Sequence, residues 1–304
     1  PVAGPIPEYI FAQAHLENVT TLFKELEFRT LLDKLPKNYS NSNLEKSNDD
    51  SADQSQVTIN PELKQDYLLV DTPDKIAGII KKIRAAKQVV LDTETNSLNP
   101  IDAVLVGISL CTEAGLAWYI PAEQVRESQD IRSFLADEQI KKIGHNIKYD
   151  LLVLQNEGIS LRGINFDTMI ASYLLDSAKR QHNLEALAFS NLGYQMQPIT
   201  DLIGIGKKQI TMDQVPVERV SWYACEDADV TFRLYQMFAK ELKETRLANI
   251  FSEIEIPLMF VLADMERAGI LLDVGFLNNV SVQAEKDIEQ LSTEIYGLEI
   301  GRAS

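Results

Sequence analysis

Four acidic side chains and a phenol stand in this chain at spacings that could hold divalent cations: Asp92 and Glu94, Asp150, and Tyr223 with Asp227. Asp92 and Glu94 are two residues apart, so in an extended backbone both project to the same side. Adjacent like charges repel unless something cationic lies between them. Carboxylate oxygens are hard ligands and select Mg²⁺ or Mn²⁺. Each fragment alone also fits a plainer account. Asp92 and Glu94 could be solvated acids at a strand end. Asp150 could be a first-turn acid favoured by a helix dipole. Tyr223 and Asp227, four residues apart, could share a face of any amphipathic helix. Together, four carboxylates from three stretches suit two cations about 4 Å apart, an arrangement used for phosphoryl transfer.

The elements that would position these groups can be read from periodicity. Val89, Val90 and Leu91 form a short β-branched run, the pattern of a buried central strand leading directly into Asp92. Tyr67–Val70 reads as a strand, and Thr72 and Pro73 as the N-cap and first position of a helix running to about Ala86. Ala103–Cys111 and Leu116–Ile120 read as two further strands, which with Gln88–Leu91 suggest an antiparallel meander. A helix is expected over Ile131–Leu135 and a strand over Lys141–Gly144, with Asn146 opening a helix through Asn156. From there to Phe251 the chain reads as mostly helical, with one long helix from Pro216 to about Leu242. On it, Cys225 reads as a core residue and Glu226 and Asp229 as solvated. His145 reads as a packed or hydrogen-bonding histidine. The expected class is α/β, a mixed sheet flanked by helices.

Composition bounds the rest. The 304 residues, 45% hydrophobic, are enough for a full core. No apolar run approaches a membrane span, and Pro1–Pro5 lacks the charged-then-apolar order of a signal peptide. Cys111 and Cys225 offer no disulfide framework or zinc pattern, so a reducing cytoplasm is the expected setting. The net charge of −16 argues against gripping a long duplex. It is concentrated at the ends, however, and residues 67–240 carry 18 basic and 22 acidic side chains. A few nucleotides held through metals and stacking need no basic face. Residues 16–35 have helical spacing, and 37–62 read as a polar linker.

Asp92-Thr93-Glu94, Asn146-x-x-x-Asp150 and Tyr223-x-x-x-Asp227 resemble, in order and spacing, the three exonuclease motifs of the DEDD superfamily, tyrosine subtype. The longer strings Asp92–Leu98 and Tyr223–Thr231 are closer still to the 3′–5′ proofreading exonuclease domain of bacterial DNA polymerase I. Phe166–Met169 and His182–Leu184 are similar to it too. Leu22–Arg29 resembles the segment that follows that family's 5′-nuclease, and Glu255–Leu258 with Met265–Ile270 the opening of its polymerase domain.

The resemblance implies a ribonuclease H-like fold with helical flanks at both termini. It divides the chain into a helical tail over residues 1–36, the linker at 37–62, an exonuclease domain at 63–243 and the start of a polymerase domain at 244–304. It implies an exonuclease without polymerase or 5′-nuclease activity in this chain. One Mg²⁺, replaceable by Mn²⁺, would sit on Asp92, Glu94 and Asp227. A second would sit on Asp92, with Asp150 acting through water. Tyr223 would orient the attacking water, and Thr93, Leu98 and Asn146 would face substrate, Leu98 as an apolar wedge. A core leucine is the plain alternative for Leu98. The implied partners are a single-stranded or frayed 3′ end of DNA, the nucleoside monophosphate product and the parent polymerase domain, with the chain a monomer. Two rivals stay open: an exoribonuclease of the RNase D type, and a non-catalytic structural domain of a polymerase.

Overall fold

The computed structural model describes residues 65–298. The helix expected over 16–35 and the linker over 37–62 lie outside the described residues. Strand β2 (Gln88–Thr95) is the axis of the fold. Its alternation is what a strand buried on both faces requires. Val89 and Leu91 join one hydrophobic cluster with Ile83, Leu110 and Leu152, whereas Val90 joins another with Ile143, Ala224 and Ala228. The acids lie inside the ordered strand, in its last four residues, and their geometry is therefore set by sheet pairing.

Five further strands complete the sheet: β1 (Asp66–Leu69), β3 (Leu105–Glu113), β4 (Leu116–Pro121), β5 (Lys141–Gly144) and β6 (Ile164–Asp167). The order is β1-β4-β3-β2-β5-β6. β3 runs antiparallel to β2 and β4, as the meander reading expects, and the remaining pairs are parallel. The sheet is therefore mixed, and helices cover both faces. On one lie α1 (Pro73–Ala86), α2 (Ala122–Glu127), α3 (Gln129–Leu135) and α4 (Ile147–Asn156). On the other lie α5 (Thr168–Leu175), the short α6 (Leu184–Leu187) and the long α7 (Val217–Glu244). Ala224, Cys225 and Ala228, fully buried, let α7 lie close against the strands. Beyond it, α8 (Ile256–Ala268) packs on α4 and β6 through Met259 and Ala263, and α9 (Val274–Gly297) has no buried residue.

The segment from Asn156 to Phe251 is mostly helical, as expected, but it also holds one strand, Ile164–Asp167, which forms β6 beside β5. Four residues are too few for alternation to show, and backbone pairing decides the matter. Glu226 and Asp229 are not solvated but buried, at 1% and 0% exposure. Each is satisfied inside the protein. Glu226 accepts from the Tyr194 hydroxyl at 2.6 Å and the Gln197 N–H at 2.9 Å. Asp229 accepts from the Tyr67 hydroxyl at 2.9 Å, the Gly115 N–H at 2.7 Å and the Arg233 guanidinium at 3.0 Å.

Asp229 thereby ties α7 to β1 and to the β3–β4 turn. Asp229→Ala strands the Tyr67 hydroxyl and the Gly115 N–H, and each unpartnered donor costs about 1–3 kcal/mol. Urea unfolding is expected to show a loss on the order of 3 kcal/mol with the m-value unchanged. A loss below about 0.5 kcal/mol would remove this tie from the account.

Candidate active site

Val90, Asp92 and Glu94 alternate onto the face of β2 that α7 covers, and α7 presents Asp227 there. One carboxylate oxygen from each of Asp92, Glu94 and Asp227 lies within 4.8 Å of the others. Tyr223 stands one turn earlier on α7, on the same helix face as Asp227. Asp150 enters from the first turn of α4 and is 2% exposed. Its Oδ1 accepts from the Thr93 N–H at 2.8 Å and from the Thr93 hydroxyl at 2.6 Å. Thr93, expected on the substrate, thus has its hydroxyl committed to holding Asp150.

These carboxyls resist ionisation in the metal-free protein. Burial, then the charges of Asp150 and Asp227, push Asp92 well above the usual carboxylate range. Glu94 is raised likewise by burial and then by Asp92 and Asp150, and Asp227 by burial and then chiefly by Glu94. Asp150 is pushed up to about 7 by burial, although the Thr93 hydrogen bonds pull the other way. Among the described residues no Lys or Arg pairs with any of the four. Glu94 Oε1 is buried with no hydrogen-bond partner. An orphaned carboxylate oxygen beside two other carboxylates, with no protein cation to neutralise it, fits a divalent ion held by hard oxygen ligands. Tyr223 is raised far above its ordinary value by burial and then by Asp227, Glu94 and Asp92, so its phenol stays protonated.

The strand–helix junctions that aim these groups are themselves tied. Asn146 adopts a left-handed conformation (φ 59°) at the start of α4, a region asparagine tolerates better than most residues. Asp167, at the end of β6, accepts from the N–H groups of Asn146 at 3.2 Å and Ile147 at 2.8 Å, and caps α5 through Met169 and Ile170. One buried carboxylate therefore fixes both helix starts. Sequence reasoning gave Asp167 no role; an aspartate directly before a helix was the available signal. His145 Nδ1 meets the Thr168 hydroxyl at 2.9 Å, and burial lowers the ring to about 4, which keeps it neutral. Leu98, on the loop after β2, is 93% exposed, which removes the core-leucine alternative.

A family model described as 3′–5′ exonuclease matches residues 67–243. DNA polymerase I of Pseudomonas aeruginosa is 34% identical over 296 residues, covering 93% of this chain and 31% of the relative. DNA polymerase I of Chloroflexus aurantiacus is 38% identical over 232 residues, covering 73% and 24%. The chain thus spans a third or less of these relatives' length. Among solved structures, the POL domain of Pol1 from M. smegmatis, in complex with DNA primer-template and dNTP, matches with a TM-score of 0.63 at 20% identity, over 78% of this chain and 38% of that one. Brucella melitensis NrnC with bound Mg²⁺ matches at 0.51 and 23%, over 68% and 96%. Identities this low establish a shared fold, the ribonuclease H-like sheet with its flanking helices.

In the metal-free protein the raised carboxyls keep protons that the unfolded chain, with carboxylate values near 4, releases. The stability they contribute is complete below about pH 4 and is lost as pH rises through their folded values, about 7 for Asp150. Melting in EDTA should therefore fall between about pH 5 and pH 8. Saturating Mg²⁺ or Mn²⁺, which favours the charged forms, should lift the upper end most. A metal-free midpoint that rises across this interval contradicts the electrostatics described.

Proposed function

The chain belongs to the 3′–5′ exonuclease family, and from that premise we propose that it removes nucleotides from the 3′ end of DNA by metal-dependent hydrolysis, releasing nucleoside monophosphates. The observation that carries this reading is the Asp92, Glu94 and Asp227 cluster with its orphaned Glu94 Oε1. Those three would hold one Mg²⁺, or Mn²⁺ in its place, and Asp92 would share a second with Asp150. Bound there, the ions would supply the positive charge that a water nucleophile and a departing 3′ oxygen both require.

The chain's own groups supply the rest. The Tyr223 phenol, protonated and one turn from Asp227 on α7, orients the attacking water and does not serve as its base. Thr93 fixes Asp150. Leu98, exposed past the acids, serves as a wedge against the terminal bases, and Asn146 contacts the substrate. The substrate is a single-stranded or frayed 3′ end, which needs only a few nucleotides of contact. Within a longer DNA polymerase I-like chain, this role is proofreading.

The length of the relatives supports the same setting. Residues 63–243 form the exonuclease domain, 1–36 and 37–62 its upstream tail and linker, and 244–304 the opening of a polymerase domain. The exposed Phe276, Leu277, Leu291 and Ile295 of α9 suit a covering surface from that domain. Among the described residues no helix is long and apolar enough to cross a membrane. The free, buried Cys111 and Cys225 suit the reducing cytoplasm, where the chain acts as a monomer.

The deciding experiment is a gel of 5′-labelled single-stranded DNA, beside a matched RNA, with purified protein and Mg²⁺. Stepwise shortening from the 3′ end is expected, with DNA preferred. Cuts in circular DNA, or shortening of RNA alone, would overturn the reading. Asp92→Ala should abolish activity, whereas Tyr223→Phe should keep a residue of it, lowered by roughly 10²–10⁴-fold. Metal-linked melting should separate the two: Tyr223→Phe retains the shift and Asp92→Ala loses most of it.

A further inference from the structure

Glu94 has the longest side chain of the clustered acids, and its Oε1 is buried without a hydrogen-bond partner. A glutamate turns about several bonds, so something other than a hydrogen bond at that oxygen must limit its direction. β3 provides the place. Gly107 pairs directly opposite Glu94, and Ser109 opposite Asp92. Residues opposite each other in an antiparallel pair point to the same face, with Cβ atoms about 4.5–5.5 Å apart. Gly107 has no side chain to meet Glu94, and Tyr119 of β4, 1% exposed, fills the space instead. Tyr119 pairs with Ser109 and leans diagonally across β3. A Cβ on residue 107 would collide with the Tyr119 Oη and Cζ. The end of the phenol therefore lies where a side chain at 107 would face Glu94. Its hydroxyl donates to the Val106 carbonyl at 3.1 Å, so its one proton is committed to the backbone. Burial and then the charge of Glu94 raise this phenol above its ordinary value and keep that proton in place.

We propose that Tyr119 is a positioning residue for Glu94: its ring, admitted by Gly107, bounds the space in which the carboxylate can turn and holds it toward Asp92 and Asp227. The ring supplies bulk without a proton. A donor in the same place would take Glu94 Oε1 for the protein. This wall limits the rotamers of Glu94 and leaves that oxygen open to a cation. Gly107 is part of the device, because any larger residue there would displace the ring. The inference rests on the metal-dependent reading of the site and deepens it, since Tyr119 acts through Glu94 and not on the reacting atoms.

The test is Mn²⁺ affinity, measured by isothermal titration calorimetry on the whole chain, with circular dichroism to confirm folding. Tyr119→Phe keeps the ring and should bind Mn²⁺ as wild type does. Tyr119→Leu, with Tyr119→Val beside it in case one fails to fold, removes the wall. Losing a group that orients a metal ligand typically weakens binding by about 10–100-fold, and a loss of roughly ten-fold is expected here. Ile83→Ala, a core truncation in α1 on the other face of the sheet, is the stability control and should leave the affinity unchanged. An unchanged affinity in folded Tyr119→Leu or Tyr119→Val overturns the proposal. So does an equal loss in Tyr119→Phe, which would assign the effect to the hydroxyl, or in Ile83→Ala, which would assign it to stability. If wild type itself binds no Mn²⁺, the metal-dependent reading falls and takes this inference with it, an outcome distinct from any ranking among the variants.

Discussion

Four carboxyl groups are gathered at one strand end, two buried and two half-buried, and among the described residues no Lys or Arg pairs with them. The cost of that arrangement shapes the molecule. The same helix offers the control. Glu226 and Asp229 are buried as deeply as any acid here, yet each finds donors within the protein: a tyrosine hydroxyl and a backbone N–H for both, with Arg233 added for Asp229. One residue along from Glu226, Asp227 faces Asp92 and Glu94 instead, and a Glu94 oxygen is left with nothing to accept. In α7 the two acids with donors of their own, Glu226 and Asp229, are fully buried, whereas half-buried Asp227 lies against two other carboxylates.

Holding mutually repelling groups together requires rigid supports, and each acid has one. Asp92 and Glu94 pair with β3, on a strand that β5 flanks just before them. Asp227 sits on a helix that lies across most of the sheet on a face of small residues. Asp150 is clamped by Thr93, and the start of its helix by Asp167. Ordinary fold-stabilising features, a capped helix and a central strand, therefore double as the devices that keep the site from relaxing apart.

Much of this was legible in the sequence because it rests on local rules. The Val89–Leu91 run with acids at alternate positions predicts both the strand and the shared direction of Asp92 and Glu94. The four-residue spacing of Tyr223 and Asp227 predicts their common face. What stayed hidden depends on partners distant in sequence. β6 is four residues whose pairing with β5 leaves no periodic trace. Asp229 reads as one more surface acid until Tyr67, 162 positions earlier, is seen to donate to it. Thr93 falls within a motif that suggests contact with substrate, and only the bond its hydroxyl donates to Asp150 shows where it is committed.

The central claim is that the Asp92, Glu94 and Asp227 carboxylates, with the orphaned Glu94 Oε1 among them, are gathered for a divalent cation. Anomalous diffraction from crystals of the wild-type protein soaked in Mn²⁺ addresses it directly. A peak within bonding distance of Asp92, Glu94 and Asp227, absent from Asp92→Ala crystals, is the result predicted. Strong soaks with no peak there, the three carboxyls instead sharing protons through short hydrogen bonds, would contradict it.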